Sequence, residues 1–124
     1  MAAVESFREL VVWQRAVELS VAVYKLTAAF PKDEMYGLTS QIRRASVSIA
    51  SNIAEGQGRT TPGEFKQFLG IARGSAAETQ TQLILARRLQ LAPTELIDQS
   101  EALTAEVHKM LTALILTVES TSTS

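Results

Sequence analysis

The apolar residues of this chain recur with the period of an α-helix, about 3.6 residues, in four successive segments. The second segment shows the pattern most clearly, with apolar spacings of 4, 3, 4 and 4 over Leu38, Ile42, Ala45, Ile49 and Ile53. No segment alternates apolar and polar residues in the way that predicts a half-buried strand. The pattern therefore predicts an all-α chain.

We expect four helices, over residues 8–29, 36–57, 62–90 and 93–119, and a disordered polar tail over residues 120–124. The connections between them are short, and short connections place consecutive helices side by side in opposite directions. The simplest architecture is therefore an antiparallel up-down-up-down four-helix bundle. A chain of 124 residues is long enough for one such domain, which we assign to residues 1–119.

Proline and glycine mark the ends of the predicted helices. The first helix ends at the Phe-Pro pair of residues 30–31, because the residue before a proline avoids the helical region. The second ends where Gly56 and Gly58 can supply the positive φ that closes many helices. The third begins with a Thr-Pro-Gly-Glu run, in which Thr61 is the predicted N-cap and Glu64 completes a capping box.

The first predicted helix carries two apolar stripes. One contains Leu10, Trp13, Val17, Val21 and Tyr24, and the other contains Val12, Ala16, Leu19, Val23 and Leu26. The core of a bundle covers one such stripe of a surface helix. The first helix is therefore expected to contact a second partner on another side.

Small residues are concentrated at the same height in the second and third helices. Gly70 and Gly74 lie inside the third helix, where a glycine costs about 1 kcal/mol relative to alanine. The facing part of the second helix contains Ala45, Ser46, Ser48, Ala50, Ser51 and Ala54. Because a close approach of the two backbones offsets that cost, these helices are predicted to pack tightly. Asn52 lies on the inward side, where a buried amide needs partners, either in the turn after Gly56 or in Gln67.

The net charge is only −1, but it is unevenly distributed. Residues 37–88 hold seven basic and three acidic residues, a net +4, and residues 93–119 hold one basic and five acidic residues, a net −4. The candidate phosphate-binding residues are Arg43, Arg44, Arg59, Arg73, Arg87 and Arg88. In the structural interpretation, which we favour, Arg44 pairs with Glu78 and Glu55 pairs with Lys66 or Arg59. No aromatic residue is interspersed among these arginines to stack bases, which weighs against binding of single strands.

The sequence offers no set of residues for catalysis. The Gly-x-Gly-Arg run at residues 56–59 follows a helix and lacks the Walker spacing, so we interpret it as a helix end and a turn. A metal site in a helical bundle needs inward carboxylates and Glu-x-x-His pairs, and the lone His108 has neither. There is no cysteine, no export signal and no apolar run long enough for a membrane span. We therefore predict a cytoplasmic protein that is not an enzyme and holds no metal or cofactor.

Several short runs resemble the four-helix-bundle protein family first described from intervening sequences in bacterial 23S ribosomal RNA genes. These runs are residues 13–14, 30–31, 36–38, 41–45, 51–56, 58–59 and 72–75. The resemblance extends over about residues 7–91 and implies a homopentamer, a ring with a central channel. The residues that we assign to structural motifs are Trp13, Asn52, Glu55, Gly56, Gly58, Gly70 and Gly74.

A similar fold serves as the accessory protein of diversity-generating retroelements, which resembles a basic pentameric barrel that binds nucleic acid and a reverse transcriptase. The present chain differs in its slightly acidic balance. The first hypothesis is a non-enzymatic oligomeric scaffold whose partner is a protein or a nucleic acid. The second is an RNA- or DNA-binding protein that acts through phosphate contacts of the six arginines.

Overall fold

The computed structural model describes residues 6–122. Its four α-helices are α1 over Val11–Thr27, α2 over Leu38–Gln57, α3 over Pro62–Arg88 and α4 over Thr94–Ser122. Two 3-10 helices, Phe7–Glu9 and Lys32–Glu34, precede α1 and α2. The described residues contain no strand, and the prediction of an all-α four-helix bundle is confirmed.

The helices surround one apolar core. α1 packs against α2 and α4, and α3 packs against the same two helices, so that α1 and α3 occupy opposite corners of the bundle. The core stripe of α1 is Val12, Ala16, Leu19, Val23 and Leu26. The other helices contribute Ile42, Ile49, Ile53, Leu69, Ala72, Ala76, Leu83, Ala86, Ile97, Val107, Leu111, Ile115 and Val118. In the second apolar stripe, Leu10 and Trp13 pack against the margin of this core, whereas Val17, Val21 and Tyr24 do not belong to it.

The start of α3 follows the predicted capping chemistry in part. The hydroxyl of Thr61 accepts a hydrogen bond of 3.1 Å from the backbone N–H of Glu64. The carboxylate of Glu64 contacts the Thr61 hydroxyl at 3.1 Å, so it does not complete the box through the backbone of that residue. At the other end of the chain α4 continues to Ser122, so residues 120–122 are helical and do not belong to a tail. Residues 123–124 lie outside the described part of the chain.

α2 ends at Gln57 as predicted, but the predicted positive φ of Gly56 and Gly58 is wrong, because no glycine within residues 6–122 has a positive φ. Gly58 is the C-cap of α2 with a φ of −80°. A positive φ of 56° occurs at Gln90, directly after the C-cap of α3. There the N–H of Leu91 donates to the carbonyl of Ala86 at 3.0 Å, which is the bond that closes a Schellman motif.

Small residues do bring α2 and α3 close together, at Gly56 and at a pair of serines. Gly56 is buried, and a Cβ atom at this position would lie 2.7 Å from the Cβ of Phe68. The hydroxyls of Ser48 and Ser75 meet at 3.0 Å across the same two helices. The predicted close approach of these helices is therefore made at these positions.

Gly70 and Gly74 do not take part in that approach. Both are exposed on the outer side of α3, and a Cβ atom at either position would have no neighbouring heavy atom within 4 Å. With Ala77, Thr81 and Ile84 they form an exposed row along the helix, hereafter the α3 outer stripe. The expectation that these two glycines allow close packing within the chain is not met.

Candidate binding surface

A wide apolar groove runs along the outside of the bundle between α1 and α2. It has a volume of about 630 Å³ and is lined by Val17, Ser20, Val21, Tyr24, Lys25, Ala28, Val47, Ala50 and Ser51. Val21 is 50% exposed and Val47 is 42% exposed. The groove is thus lined by part of the second apolar stripe of α1, namely Val17, Val21 and Tyr24. Contiguous exposed apolar side chains of this kind mark sites of interaction with other molecules.

The apolar groove adjoins a second cleft of about 410 Å³ that holds aromatic and charged side chains. Tyr24 and Val47 line both of them. The tyrosine–arginine cleft is lined by Tyr24, Met35, Tyr36, Thr39, Ser40, Arg43, Arg44 and Val47. Tyr36 is 95% exposed, more than any other large apolar or aromatic side chain in the described part of the chain.

Arg43 is held in a fixed position in this cleft. Its guanidinium carbon lies 4.4 Å from the centroid of the Tyr24 ring, and its Nε donates a hydrogen bond of 2.7 Å to the hydroxyl of Thr27. The Thr27 hydroxyl donates in turn to the carbonyl of Val23 at 2.8 Å. The terminal nitrogens of Arg43 make no hydrogen bond within residues 6–122 and remain available. Arg44 beside it is exposed.

One of the predicted ion pairs is present. Arg59 pairs with Glu55 at 2.6 Å at the end of α2. Arg44 and Glu78 form no ion pair within the described range, so that predicted pair is absent. The guanidinium of Arg44 is therefore free for a ligand.

The other candidate arginines lie outside the tyrosine–arginine cleft. Arg73 donates to the hydroxyl of Thr112 on α4 at 3.4 Å. Arg88 is exposed near the end of α3. Arg59 lies over the ring of Phe68 at 4.7 Å, close to the turn between α2 and α3. The structure thus brings together only Arg43 and Arg44 of the six predicted arginines.

Ion pairs cross between α3 and α4. Arg87 donates to the carboxylates of Asp98, at 2.6 Å, and of Glu101. These hydrogen bonds, with that to Asp98 contributing most, raise the pKa of Arg87 above its ordinary value. Lys66 pairs with Glu119 at 3.5 Å. Asp98, Glu101 and Glu119 of α4 therefore neutralise cations of α3 within the chain, so the guanidinium of Arg87 is not free for a ligand.

Tyr24 and Tyr36 are candidate binding residues that the sequence analysis missed. Tyr24 stands on another helix, so only the packing of α1 against α2 brings it under Arg43. Tyr36 lies in the turn before α2, with the first residues of that helix between it and the arginine pair, and was interpretable only as a helix start. The expectation that no aromatic residue accompanies the arginines is wrong for Arg43 and Arg44.

One family model, that of the 23S rRNA-intervening sequence proteins, matches residues 8–113 of the chain. The chain belongs to this family. A solved structure of a protein with unknown function from the S23 ribosomal protein family, from Bacteroides thetaiotaomicron VPI-5482, is similar, with a TM-score of 0.78 at 26% identity. The similarity covers 85% of this chain and 95% of that chain. No curated protein is significantly similar to this chain.

In this 23S rRNA-intervening sequence protein, two further motif residues make local contacts. Trp13 packs edge to face against Phe7, with ring centroids 5.1 Å apart. Asn52 donates its amide to the carbonyl of Ser48 at 2.8 Å and to the hydroxyl of the same residue at 2.9 Å. The amide nitrogen therefore bonds within its own helix, and these bonds are not made to the turn or to Gln67.

The part of this family member that the structure describes contains neither a metal-binding cluster nor a membrane-spanning helix. Residues 6–122 include no group of three or more His, Cys, Asp or Glu that could hold a metal ion. None of the helices in that range is long and apolar enough to cross a membrane. His108 is half-buried on α4, where its carbonyl accepts a hydrogen bond of 3.1 Å from Thr112.

Proposed function

We propose that this family member is a non-enzymatic scaffold that assembles with copies of itself into a pentamer of antiparallel four-helix bundles. The apolar groove between α1 and α2 carries this proposal, because one chain alone leaves it open to water. Fully burying a valine side chain is worth about 1.5–3 kcal/mol relative to leaving it exposed. Val21 and Val47, each about half exposed, would gain part of this energy in an assembly.

The contacts between α3 and α4 support the antiparallel arrangement. Lys66 near the start of α3 pairs with Glu119 near the end of α4. Arg87 near the end of α3 pairs with Asp98 near the start of α4. Pairs at both ends are consistent with helices that run in opposite directions.

A closed ring needs two unlike patches on each chain, because each protomer contacts its two neighbours through different surfaces. The apolar groove lies between α1 and α2, and the outer stripe lies on α3, the helix at the corner of the bundle opposite α1. Gly70 and Gly74 each cost about 1 kcal/mol inside a helix, and nothing in the described chain packs against them. A neighbouring chain that packs closely on them would offset this cost. We therefore pair the groove of one protomer with the α3 outer stripe of the next.

Light scattering after size-exclusion chromatography at micromolar concentration tests the assembly. Each chain has a mass of 13.5 kDa, and we expect a particle of five chains. Val21→Asp should weaken the assembly by roughly a hundredfold or more, because burying an unpaired carboxylate costs several kcal/mol.

The matched control is Leu116→Asp, since Leu116 is 61% exposed on α4 and lines neither patch. It should leave the mass unchanged. A monomeric wild-type protein would contradict the assembly itself. A Val21→Asp particle of unchanged mass would exclude the groove as the contact.

A second candidate function is binding of RNA or DNA through phosphate contacts, which Arg43 and Arg44 favour. Both guanidiniums lie in one cleft, and Arg44 is exposed with no ion pair to the described residues. The resemblance to the accessory protein of diversity-generating retroelements also supports this candidate. We expect log K to fall with log salt by about 0.9 per phosphate on duplex or about 0.7 on single strands.

Arg44→Ala should lower the affinity and the salt slope. Arg87→Ala is its control, because Arg87 is already paired with Asp98 and Glu101. An affinity of the wild-type protein that does not change with salt would exclude this function. Equal losses of affinity in the two variants would show that the cleft is not the binding site.

A further inference from the structure

We propose that the tyrosine–arginine cleft binds single-stranded nucleic acid, with one unpaired base stacked on Tyr36 and the adjoining phosphates held by Arg43 and Arg44. The inference rests on the second candidate function and adds two things to it, the form of the strand and the side chain that distinguishes that form. It follows from the exposure of Tyr36, the availability of the Arg43 and Arg44 guanidinium groups and the position of the cleft.

The fold does not account for the exposure of Tyr36. Its ring is 95% exposed, whereas Phe30 is 7% exposed and Trp13 packs against Phe7. An aromatic ring gains energy when a flat partner covers its face, and every nucleobase offers such a face. Tyr36 is thus a platform without a partner inside the described chain.

The groups around Tyr36 match the other half of a nucleotide. Arg43 is oriented by Tyr24 and Thr27 and keeps its terminal nitrogens free, and Arg44 is exposed beside it. Guanidinium groups match phosphate oxygens in both geometry and charge. Two such cations beside an exposed ring can bind a phosphate while the ring stacks on a base. The apolar groove, whose only charged lining residue is Lys25, lacks this combination.

The preference for a single strand over a duplex follows from the accessibility of the base faces. Away from its ends, a duplex has its bases stacked on one another and presents only their edges in the grooves, so there Tyr36 can stack only on an unpaired base. Tyr36, Ser40 and Arg44 line the cleft and do not line the apolar groove. The stacking surface therefore lies beyond the groove residues that a second copy of the chain would cover.

Fluorescence anisotropy with fluorescein-labelled oligo(dT), and with a labelled duplex of mixed sequence, tests the inference. Tyr36→Ala should weaken oligo(dT) binding about tenfold or more, the effect of losing one stacked base, and leave duplex binding within about twofold. Tyr36→Phe keeps the ring and should retain oligo(dT) affinity within about twofold. Arg44→Ala should weaken the binding of both oligo(dT) and the duplex. It should also reduce the dependence of log K on log salt by the amount that corresponds to about one phosphate contact.

The outcomes distinguish the inference of base stacking on Tyr36 from the proposed function of binding through phosphate contacts. Unchanged oligo(dT) affinity in Tyr36→Ala, with a loss in Arg44→Ala, would overturn stacking while phosphate binding stood. A wild-type protein that binds neither ligand would overturn both. If thymidine monophosphate displaced oligo(dT) at an equal concentration, the cleft would be a nucleotide pocket, and the inference of a strand-binding site would be wrong. Because Tyr36 is almost fully exposed, Tyr36→Ala should keep the wild-type circular dichroism spectrum.

Discussion

The inner and outer faces of α3 both contain small residues, but the chain covers only the inner one. On the inner face Ala72 and Ala76 are fully buried. On the outer face Gly70, Gly74 and Ala77 are exposed, and the two glycines have open space where a side chain would be. Small residues at helical spacing thus indicate where something can come close. They do not indicate whether that neighbour belongs to the same chain.

The same contrast holds for α1. Leu19 and Leu26 on its core stripe are fully buried, whereas Val21 and Tyr24 on its other stripe are about half exposed. α1 and α3, at opposite corners of the bundle, therefore each carry one buried face and one solvent-exposed face. The α3–α4 side differs from both, because ion pairs such as that between Arg87 and Asp98 already cover it.

The largest effect that we expect within this comparison is that of Gly56→Ala. The new Cβ atom would lie 2.7 Å from the Cβ of Phe68 and 3.3 Å from the carbonyl oxygen of Phe65, and neither atom can move without moving α3. Overpacking of this kind costs about 1–3 kcal/mol, so the free energy of unfolding should fall by about 2 kcal/mol. Urea denaturation followed by far-UV circular dichroism measures it. An unchanged midpoint would mean that α2 and α3 separate easily.

The next effect has the opposite sign and concerns Gly74→Ala. A Cβ atom there meets nothing within the described chain, so in the dissociated chain the substitution should raise the free energy of unfolding by about 0.5–1 kcal/mol through helix propensity. In the proposed assembly the added methyl group would lie against the neighbouring protomer and should weaken the assembly. Both glycine variants are compared at one protein concentration, because assembly contributes to apparent stability. A lower midpoint together with a smaller particle would support the proposed contact of another chain with the α3 outer stripe, and a higher midpoint with an unchanged particle would exclude that contact.

The sequence predicted the positions of the helices better than it predicted which surface each helix packs against, and the reason is physical. In α2 one apolar stripe determines the core, and Ile42, Ile49 and Ile53 are fully buried as expected. In α3 the glycines lie beside the buried stripe, and a glycine has no side chain whose polarity indicates a direction.

In α4 two polar residues, Ser100 and Thr104, are fully buried. They interrupt the apolar pattern of α4, and Leu103 beside them packs only at the margin of the core. The hydroxyl of Thr104 is satisfied by the carbonyl of Ser100 on its own helix, a bond that no hydropathy pattern reveals.

The cleft needed the structure for a different reason. Tyr24 and Arg43 belong to different helices, and their contact depends on how α1 and α2 are aligned. Periodicity determines which residues share a face of one helix but not the relative height of two helices. The predicted pair of Arg44 with Glu78 failed on the same point, because it relied on an assumed alignment of α2 with α3.

The smallest effect tests the polar part of the inner face through Ser75→Ala. The Ser75 hydroxyl meets the Ser48 hydroxyl at 3.0 Å, and Ser48 also accepts the amide of Asn52 at 2.9 Å. A hydrogen bond contributes about 1 kcal/mol net, and alanine returns part of this through helix propensity. Because Ser48 keeps Asn52 as a partner, the free energy of unfolding should fall by only about 0.5 kcal/mol.

Thr81→Ala is the matched variant on the outer face of α3. The Thr81 hydroxyl bonds only to the carbonyl of Ala77 on its own helix, at 3.0 Å, so its removal breaks no contact between helices. Urea midpoints should therefore move in opposite directions, down for Ser75→Ala and slightly up for Thr81→Ala. Equal shifts of the same sign would mean that the serine pair contributes nothing to the contact of α2 with α3. The two faces of α3 would then differ only in the apolar area that the chain covers.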